Sequence, residues 1–226
     1  MTESVESPEF EFGFTWQSSL FGAEQPSFDR SFAAVTRTLL DHDSWVDFSP
    51  AWLRGADEVF ESLVHALPWR QREVTMWERR VAEPRLTWWW DGSDGSAEPL
   101  PILGDIRWAL SQRYARPFDT IGCNLYRDGR DSVAWHGDRE RFRHEDPIVV
   151  ILSVGAARNF LLRPRGGGAS RCYRLGHGDL FVMGGSCQHD WEHSVPKVAH
   201  ADGPRLSIMF RHNLGATADS AVTSMS

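Results

Sequence analysis

The sequence predicts a mostly β (α+β) fold, an antiparallel barrel or jelly roll with a smaller α/β region ahead of it. Three observations carry this expectation. Beyond residue 120, short β-rich runs follow one another across Gly/Pro/Asp loops, and no helical pattern interrupts them. That order disfavours a doubly wound parallel sheet. Two earlier segments repeat apolar residues at helical spacing instead. The 226 residues, 41% of them hydrophobic, are enough for one domain with its own core.

From the N-terminus, residues 1–26 are rich in Glu, Ser and Gly with scattered aromatics such as Phe10 and Trp16, and read as a loosely held arm. Between Ala56 and Leu67 the residues Val59, Phe60, Leu63, Val64 and Leu67 recur at helical spacing, and Pro68 stops the run. A second helix fits Ile102 to Tyr114 after two prolines, with Ile102, Ile106, Leu110 and Trp108 assigned to its inner face. Between the helices, Glu73–Trp77 and Arg85–Trp90 read as strands, and Asp91–Gly95 has the composition of a turn. The later strands are expected at Ile121–Tyr126, Ile148–Val154, Asn159–Arg163, Arg171–Leu175, Leu180–Met183 and Arg205–Arg211.

Charge and composition narrow the function. No apolar run approaches the ~20 residues of a membrane span, and the acidic N-terminus is unlike a signal peptide. Cys123, Cys172 and Cys187 are odd in number and lack C-x-x-C spacing, so the expected setting is reducing and cytoplasmic. The net charge of −7 is unevenly spread. Up to Glu61 twelve acidic residues face three arginines, a balance of −9, which leaves the rest of the chain at +2. Lys197 is the only lysine beside 23 arginines, whose planar forks suit carboxylates and phosphates.

The segment Asn124-Leu-Tyr126-Arg-Asp128-Gly129-Arg-Asp131-Ser-Val-Ala-Trp135-His136-Gly-Asp138 carries the chemistry. On an extended chain His136 and Asp138 share one face, and a further imidazole is available at His193. Two imidazoles and a carboxylate on one side of an iron leave positions open for substrate and oxygen, the arrangement of non-haem Fe(II) oxygenases. An H-x-D alone is a weak signal in a chain with nine histidines. The strand Arg205–Arg211 adds weight. Period two puts Arg205, Ser207, Met209 and Arg211 on one face and Leu206, Ile208 and Phe210 on the other. If both faces are buried, two guanidiniums need anionic partners, and a dicarboxylate such as 2-oxoglutarate would supply them. On an ordinary amphipathic strand the arginine face would instead meet water. Asn124 and Tyr126, also two apart, can hydrogen-bond the same ligand or can form a polar strand edge.

Taken together, N-x-Y…W-H-x-D…H-x-V-P…R-x-S-x-x-F-R resembles the AlkB family of iron- and 2-oxoglutarate-dependent nucleic-acid dealkylases, in order from about Pro84 to Arg211. The resemblance implies a double-stranded β-helix (jelly-roll) core over 119–212. Ahead of it would lie an α/β extension over 45–118 carrying a substrate lid, with a short tail over 213–226, all within a single domain over 27–226. It implies that His136, Asp138 and His193 hold Fe(II), the catalytic metal. Arg205, helped by Tyr126, would pair the distal carboxylate of 2-oxoglutarate, and Arg211 and Asn124 would lie near its chelating end. Ser207 stands where the family often has Asn. Glu140 matches an acidic position that contacts the alkylated base, and Arg85 to Trp90 resembles the segment leading into a base-contacting lid. On that basis Glu140, Arg85, Trp88 and Trp90 are the candidate substrate residues.

Trp135, Gly137 and Met209 depart from the commonest residues of the family at their positions. Arg139, Arg141, Arg143, Arg158, Arg163 and Arg165 are candidates for phosphate contacts. The implied activity uses Fe(II), 2-oxoglutarate and O2 to dealkylate bases of the 1-methyladenine or 3-methylcytosine type in DNA or RNA, by a monomer with no membrane partner. An oxygenase acting on a protein or small molecule, and a non-catalytic jelly-roll binding module, are the competing readings.

Overall fold

A computed structural model describes residues 24–76, 79–137 and 146–212. The expected arm over 1–26 lies almost wholly outside the described residues, as does the tail over 213–226.

Two long helices and two large antiparallel sheets dominate the described fold, with two two-stranded pairs and a short helical turn beside them. Helix α1 (Ala56–Ala66) buries Val59, Phe60, Leu63 and Val64. Helix α2 (Pro101–Tyr114) starts at a proline, whose missing N–H costs nothing in a first turn, and buries Leu103, Ile106 and Leu110. Trp108 does not face inward as expected; it is 61% exposed. Two residues past Ile106 is roughly 200° around a helix, so a side chain there points away from the buried stripe.

The larger sheet has seven strands. In chain order they are β2 (Thr36–Leu39), β3 (Ser44–Ser49), β7 (Leu86–Trp90), β8 (Thr120–Tyr126), β10 (Val149–Gly155), β13 (Asp179–Gly185) and β15 (Arg205–Arg211). Their spatial order is β2-β3-β13-β10-β15-β8-β7. The smaller sheet runs β12-β11-β14-β9, built from β9 (Val133–His136), β11 (Arg158–Pro164), β12 (Arg171–Leu175) and β14 (Trp191–Val195). Two-stranded pairs join β1 (Ser27–Phe28) to β4 (Leu53–Arg54) and β5 (Glu73–Met76) to β6 (Arg79–Ala82).

Period two explains why the large sheet is buried on both sides. Ile121, Cys123, Leu125, Val150, Leu152, Leu206, Ile208 and Phe210 pack with α1 and α2 in one core. The alternate residues Tyr126, Val149, Ile151, Phe181 and Met183 join Phe160, Leu162 and Trp191 of the smaller sheet in a second core, the interior of a jelly roll. Strands β2 and β3 were not expected. Ser44, Asp47 and Ser49 interrupt any apolar alternation, yet all three are buried. Asp47 is satisfied there by both forks of Arg37, at 2.7 and 2.8 Å, and by the Tyr114 hydroxyl at 3.0 Å.

Candidate active site

Register across β8 and β15 assembles one wall of the site. Arg205 stands opposite Tyr126 and Ser207 opposite Asn124, with Met209 opposite Gly122. These pairs point into the space between the sheets because Leu206, Ile208 and Phe210 take the helix side. On the smaller sheet His193 of β14 pairs with His136 of β9, their ring centroids 4.2 Å apart. A cavity of about 1110 Å³ opens between these walls. Asn124, Tyr126, His136, His193 and the inner face of β15 all line it.

The histidine pair has donors of the kind a divalent metal takes. The Nδ1–H of His136 donates to the carbonyl of Ala134 at 2.9 Å, a tautomer that leaves Nε2 with the lone pair. His193, 8% exposed, lies parallel to the ring of Phe160 at 5.4 Å. Among the described residues no three His, Cys, Asp or Glu side chains converge on one point. Asp138 lies outside the described residues, and so does Glu140. His189 sits in a short helical turn, α3 (Cys187–Asp190), rather than on the cavity wall.

The opposite wall is strongly cationic. Arg205 is 1% exposed, with Nε donating to Ser153 Oγ at 2.9 Å. Its Nη2 is buried without a hydrogen-bond partner among the described residues. Burial pulls this guanidinium below its ordinary pKa, and the neighbouring Tyr126 opposes the shift. Burial pushes the Tyr126 phenol up, against the fields of Arg205, Arg85 and Arg158. Arg211 is 8% exposed at the far end of the same face. Both arginines are therefore buried, so the solvent-facing alternative for this strand does not hold. Five arginines line the cavity (Arg70, Arg72, Arg85, Arg205 and Arg211) against the single described carboxylate of Glu83, which pairs with Arg85 at 3.1 Å. A buried guanidinium edge without a partner, in a cavity with this charge excess, fits a dicarboxylate ligand.

The tryptophan run divides differently from the expectation. Strand β7 pairs with β8, putting Thr87 opposite Asn124 and Trp89 opposite Gly122. Trp89, 45% exposed, therefore faces the cavity. Its ring lies so close to Gly122 that an added Cβ would sit 2.7 Å from it. Trp88 packs on the helix-side core and reaches the cavity rim. Trp90 is not brought to the cavity. Its indole N–H donates to Ser96 Oγ at 3.0 Å, and Arg107 lies 5.7 Å from its ring. Among the candidate phosphate contacts, Arg158 is buried and bound to backbone carbonyls, whereas Arg139, Arg141 and Arg143 lie outside the described residues.

The profile of the 2OG-Fe(II) oxygenase superfamily matches residues 54–211, which spans both walls of the cavity. The chain belongs to the 2OG-Fe(II) oxygenase superfamily. Within it the sequence is AlkB-like. It is 34% identical over 177 residues to the mouse protein "Alpha-ketoglutarate-dependent dioxygenase alkB homolog 3", an alignment covering 70% of this chain and 62% of that protein. The bovine counterpart is 36% identical over the same coverage. "DNA oxidative demethylase ALKBH2" of Arabidopsis thaliana is 28% identical over 240 residues, covering 86% of this chain and 74% of that protein. The chain thus spans about 62% of the length of its mouse and bovine relatives. The solved structure of OsALKBH1 shares the fold with a TM-score of 0.54 at 14% identity, over 79% of this chain and all of that one. For this oxygenase superfamily Fe(II), 2-oxoglutarate and O2 are the implied cofactor and cosubstrates, and the histidine pair and Arg205 offer donors of the matching kind.

Proposed function

We propose that this chain is an Fe(II)/2-oxoglutarate-dependent oxidative dealkylase of N-alkylated nucleic-acid bases, of the 1-methyladenine or 3-methylcytosine type. One observation carries the reading: a single cavity holds the His136–His193 pair, the buried Arg205–Arg211 face and the exposed ring of Trp89. When bound, iron with 2-oxoglutarate and O2 supplies the oxidising power that hydroxylates an N-alkyl carbon, after which the alkyl group leaves as an aldehyde. Everything else is the work of this chain.

In this reading His136, His193 and Asp138 ligate the metal. Arg205 receives the distal carboxylate of 2-oxoglutarate through its unbonded Nη2, while Tyr126 closes the pocket behind it. Asn124, Ser207 and Arg211 orient the other end. Trp89 offers a flat face to a base, with Arg85 and Trp88 at the rim and Glu140 matching a cationic lesion. Arg70 and Arg72, both exposed at the cavity mouth, suit the phosphates of the flanking strand. A base in duplex would have to be flipped out, while single-stranded substrate avoids that cost. The reading is of a monomer acting in the cytoplasm. No helix among the described residues is long and apolar enough to cross a membrane.

Mass spectrometry of a panel of methylated DNA and RNA oligonucleotides, after incubation with Fe(II), 2-oxoglutarate and ascorbate, tests the proposal. Loss of the alkyl mass from a lesion supports it. Succinate formed only with peptides or amino acids would point to a protein or small-molecule oxygenase. No succinate under any condition would leave a binding module.

A further inference from the structure

Arg158, at the start of β11, is 3% exposed; it does not line the cavity but lies behind it, 5.8 Å from the ring of Tyr126. Its three hydrogen bonds all go to main-chain carbonyls: Nη1 to Asp128 O at 2.9 Å, and Nη2 to Asp131 O at 2.9 Å and Pro196 O at 2.8 Å. The carboxylates of these two aspartates are engaged elsewhere, Asp131 by Arg127 at 2.8 Å and Asp128 by Arg130 at 2.7 Å. A buried charge spent wholly on backbone carbonyls is an unusual use of arginine. What those carbonyls belong to explains it. Asp128–Asp131 is the turn that delivers the chain into β9, which ends in His136. Pro196 follows the last residue of β14, which carries His193.

Among the described residues, strands β9 and β14 meet at two registered pairs, His193 with His136 and Val195 with Val133, and the register shifts between them. A ladder that short and irregular does not fix its own register. The turn and the segment after β14 touch directly as well: Val198 N–H donates to Gly129 O at 2.9 Å, and a Cβ at Gly129 would sit 2.3 Å from Val198 O. Arg158 lies under both segments and joins them through one rigid fork.

We infer that Arg158 is a positioning residue for the metal pair: it holds the entry to β9 and the exit from β14 in the register that sets His136 against His193. The inference rests on the reading of those two histidines as metal ligands. Lysine at 158 keeps the charge but offers one nitrogen on a flexible stem, and cannot bridge three carbonyls held by a planar fork.

Co(II) serves as the probe, titrated into the full chain and followed by its visible absorption, with apo-protein melting recorded in parallel. Arg158→Lys and Arg158→Gln are compared with Val59→Ala, a core truncation in α1 remote from the site. At a temperature where circular dichroism shows all of them folded, the two Arg158 variants lose about 10- to 100-fold in Co(II) affinity and change the absorption bands. Val59→Ala melts earlier yet binds Co(II) as the parent does. Parental affinity and spectrum in either folded Arg158 variant overturn the inference. Failure of both to fold overturns it too, since Arg158 would then serve the fold at large. If the parent binds no Co(II), the ligand reading falls and this inference with it; binding by the parent with unaltered binding by the variants removes this inference alone.

Discussion

Arg205 and Tyr126 face one another across the β15–β8 ladder, the guanidinium carbon 5.4 Å from the centre of the phenol ring, and the burial of each depends on the other. The ring covers the guanidinium on one side and Ser153 takes its Nε, which leaves one nitrogen edge for a ligand. Removing the charge therefore removes that free nitrogen edge and leaves the phenol facing an empty pocket.

Arg205→Ala is expected to weaken 2-oxoglutarate binding by about 2–5 kcal/mol, the scale of a truncated buried charge pair. Arg211→Lys is expected to weaken it less, since charge survives but the planar fork does not. Calorimetric titration of 2-oxoglutarate into the metal-loaded protein reads both, and parental affinity in both variants would remove the anion pocket.

His136→Ala and His193→Ala are each expected to abolish measurable divalent-metal binding, whereas His189→Ala leaves it at the parental level. Equilibrium dialysis with Co(II) distinguishes the three. Retention of metal by His193→Ala would reassign the site.

Trp89→Ala is expected to lose about 1–3 kcal/mol in oligonucleotide binding, the value of one stacked base, with 2-oxoglutarate affinity unchanged. Trp90→Ala should instead lower the melting temperature, because its indole is bonded to Ser96 and packed beneath Arg107. Fluorescence anisotropy with a methylated oligonucleotide, beside thermal melting, separates the two roles. Equal loss of binding in both would contradict the orientation of β7.

Arg72→Gln is expected to weaken methylated and unmethylated oligonucleotides alike, and to reduce the slope of log affinity against log salt by about one. Glu140→Gln, by contrast, should slow turnover of cationic lesions more than of neutral ones, as charge attraction in a desolvated pocket requires. Kinetics across a salt series with 3-methylcytosine and a neutral lesion measure both effects. Uniform loss in Glu140→Gln would dissociate that residue from the base.

The alternation of β15 was readable because its two faces differ chemically: arginines, serine and methionine on one, leucine, isoleucine and phenylalanine on the other. The run Trp88-Trp89-Trp90 carries no such contrast, since three identical side chains have no period. Which of them meets the cavity is decided by pairing with β8, where Gly122 leaves room for the ring of Trp89. Arg158 was opaque for a different reason. An arginine beside a loop looks like a phosphate contact until the chain folds carbonyls around it from positions 128, 131 and 196. Strand β3 escaped because its buried Asp47 is satisfied by Arg37 and Tyr114, ten and 67 residues away, which leave no local trace.

His136 and His193 stand on the smaller sheet and Arg205 and Arg211 on the larger one, so no single layer owns the proposed reaction centre. Phe160, Phe181 and Met183, packed between the layers, act as a spacer that, on the proposed function, would set how far a cosubstrate anchored at Arg205 reaches toward the metal. A displacement of about 1 Å in such a distance can cost 10²-fold in rate. Phe181→Leu, which touches no ligand, is thus expected to uncouple binding from turnover: metal and 2-oxoglutarate each bound normally, but held at the wrong separation.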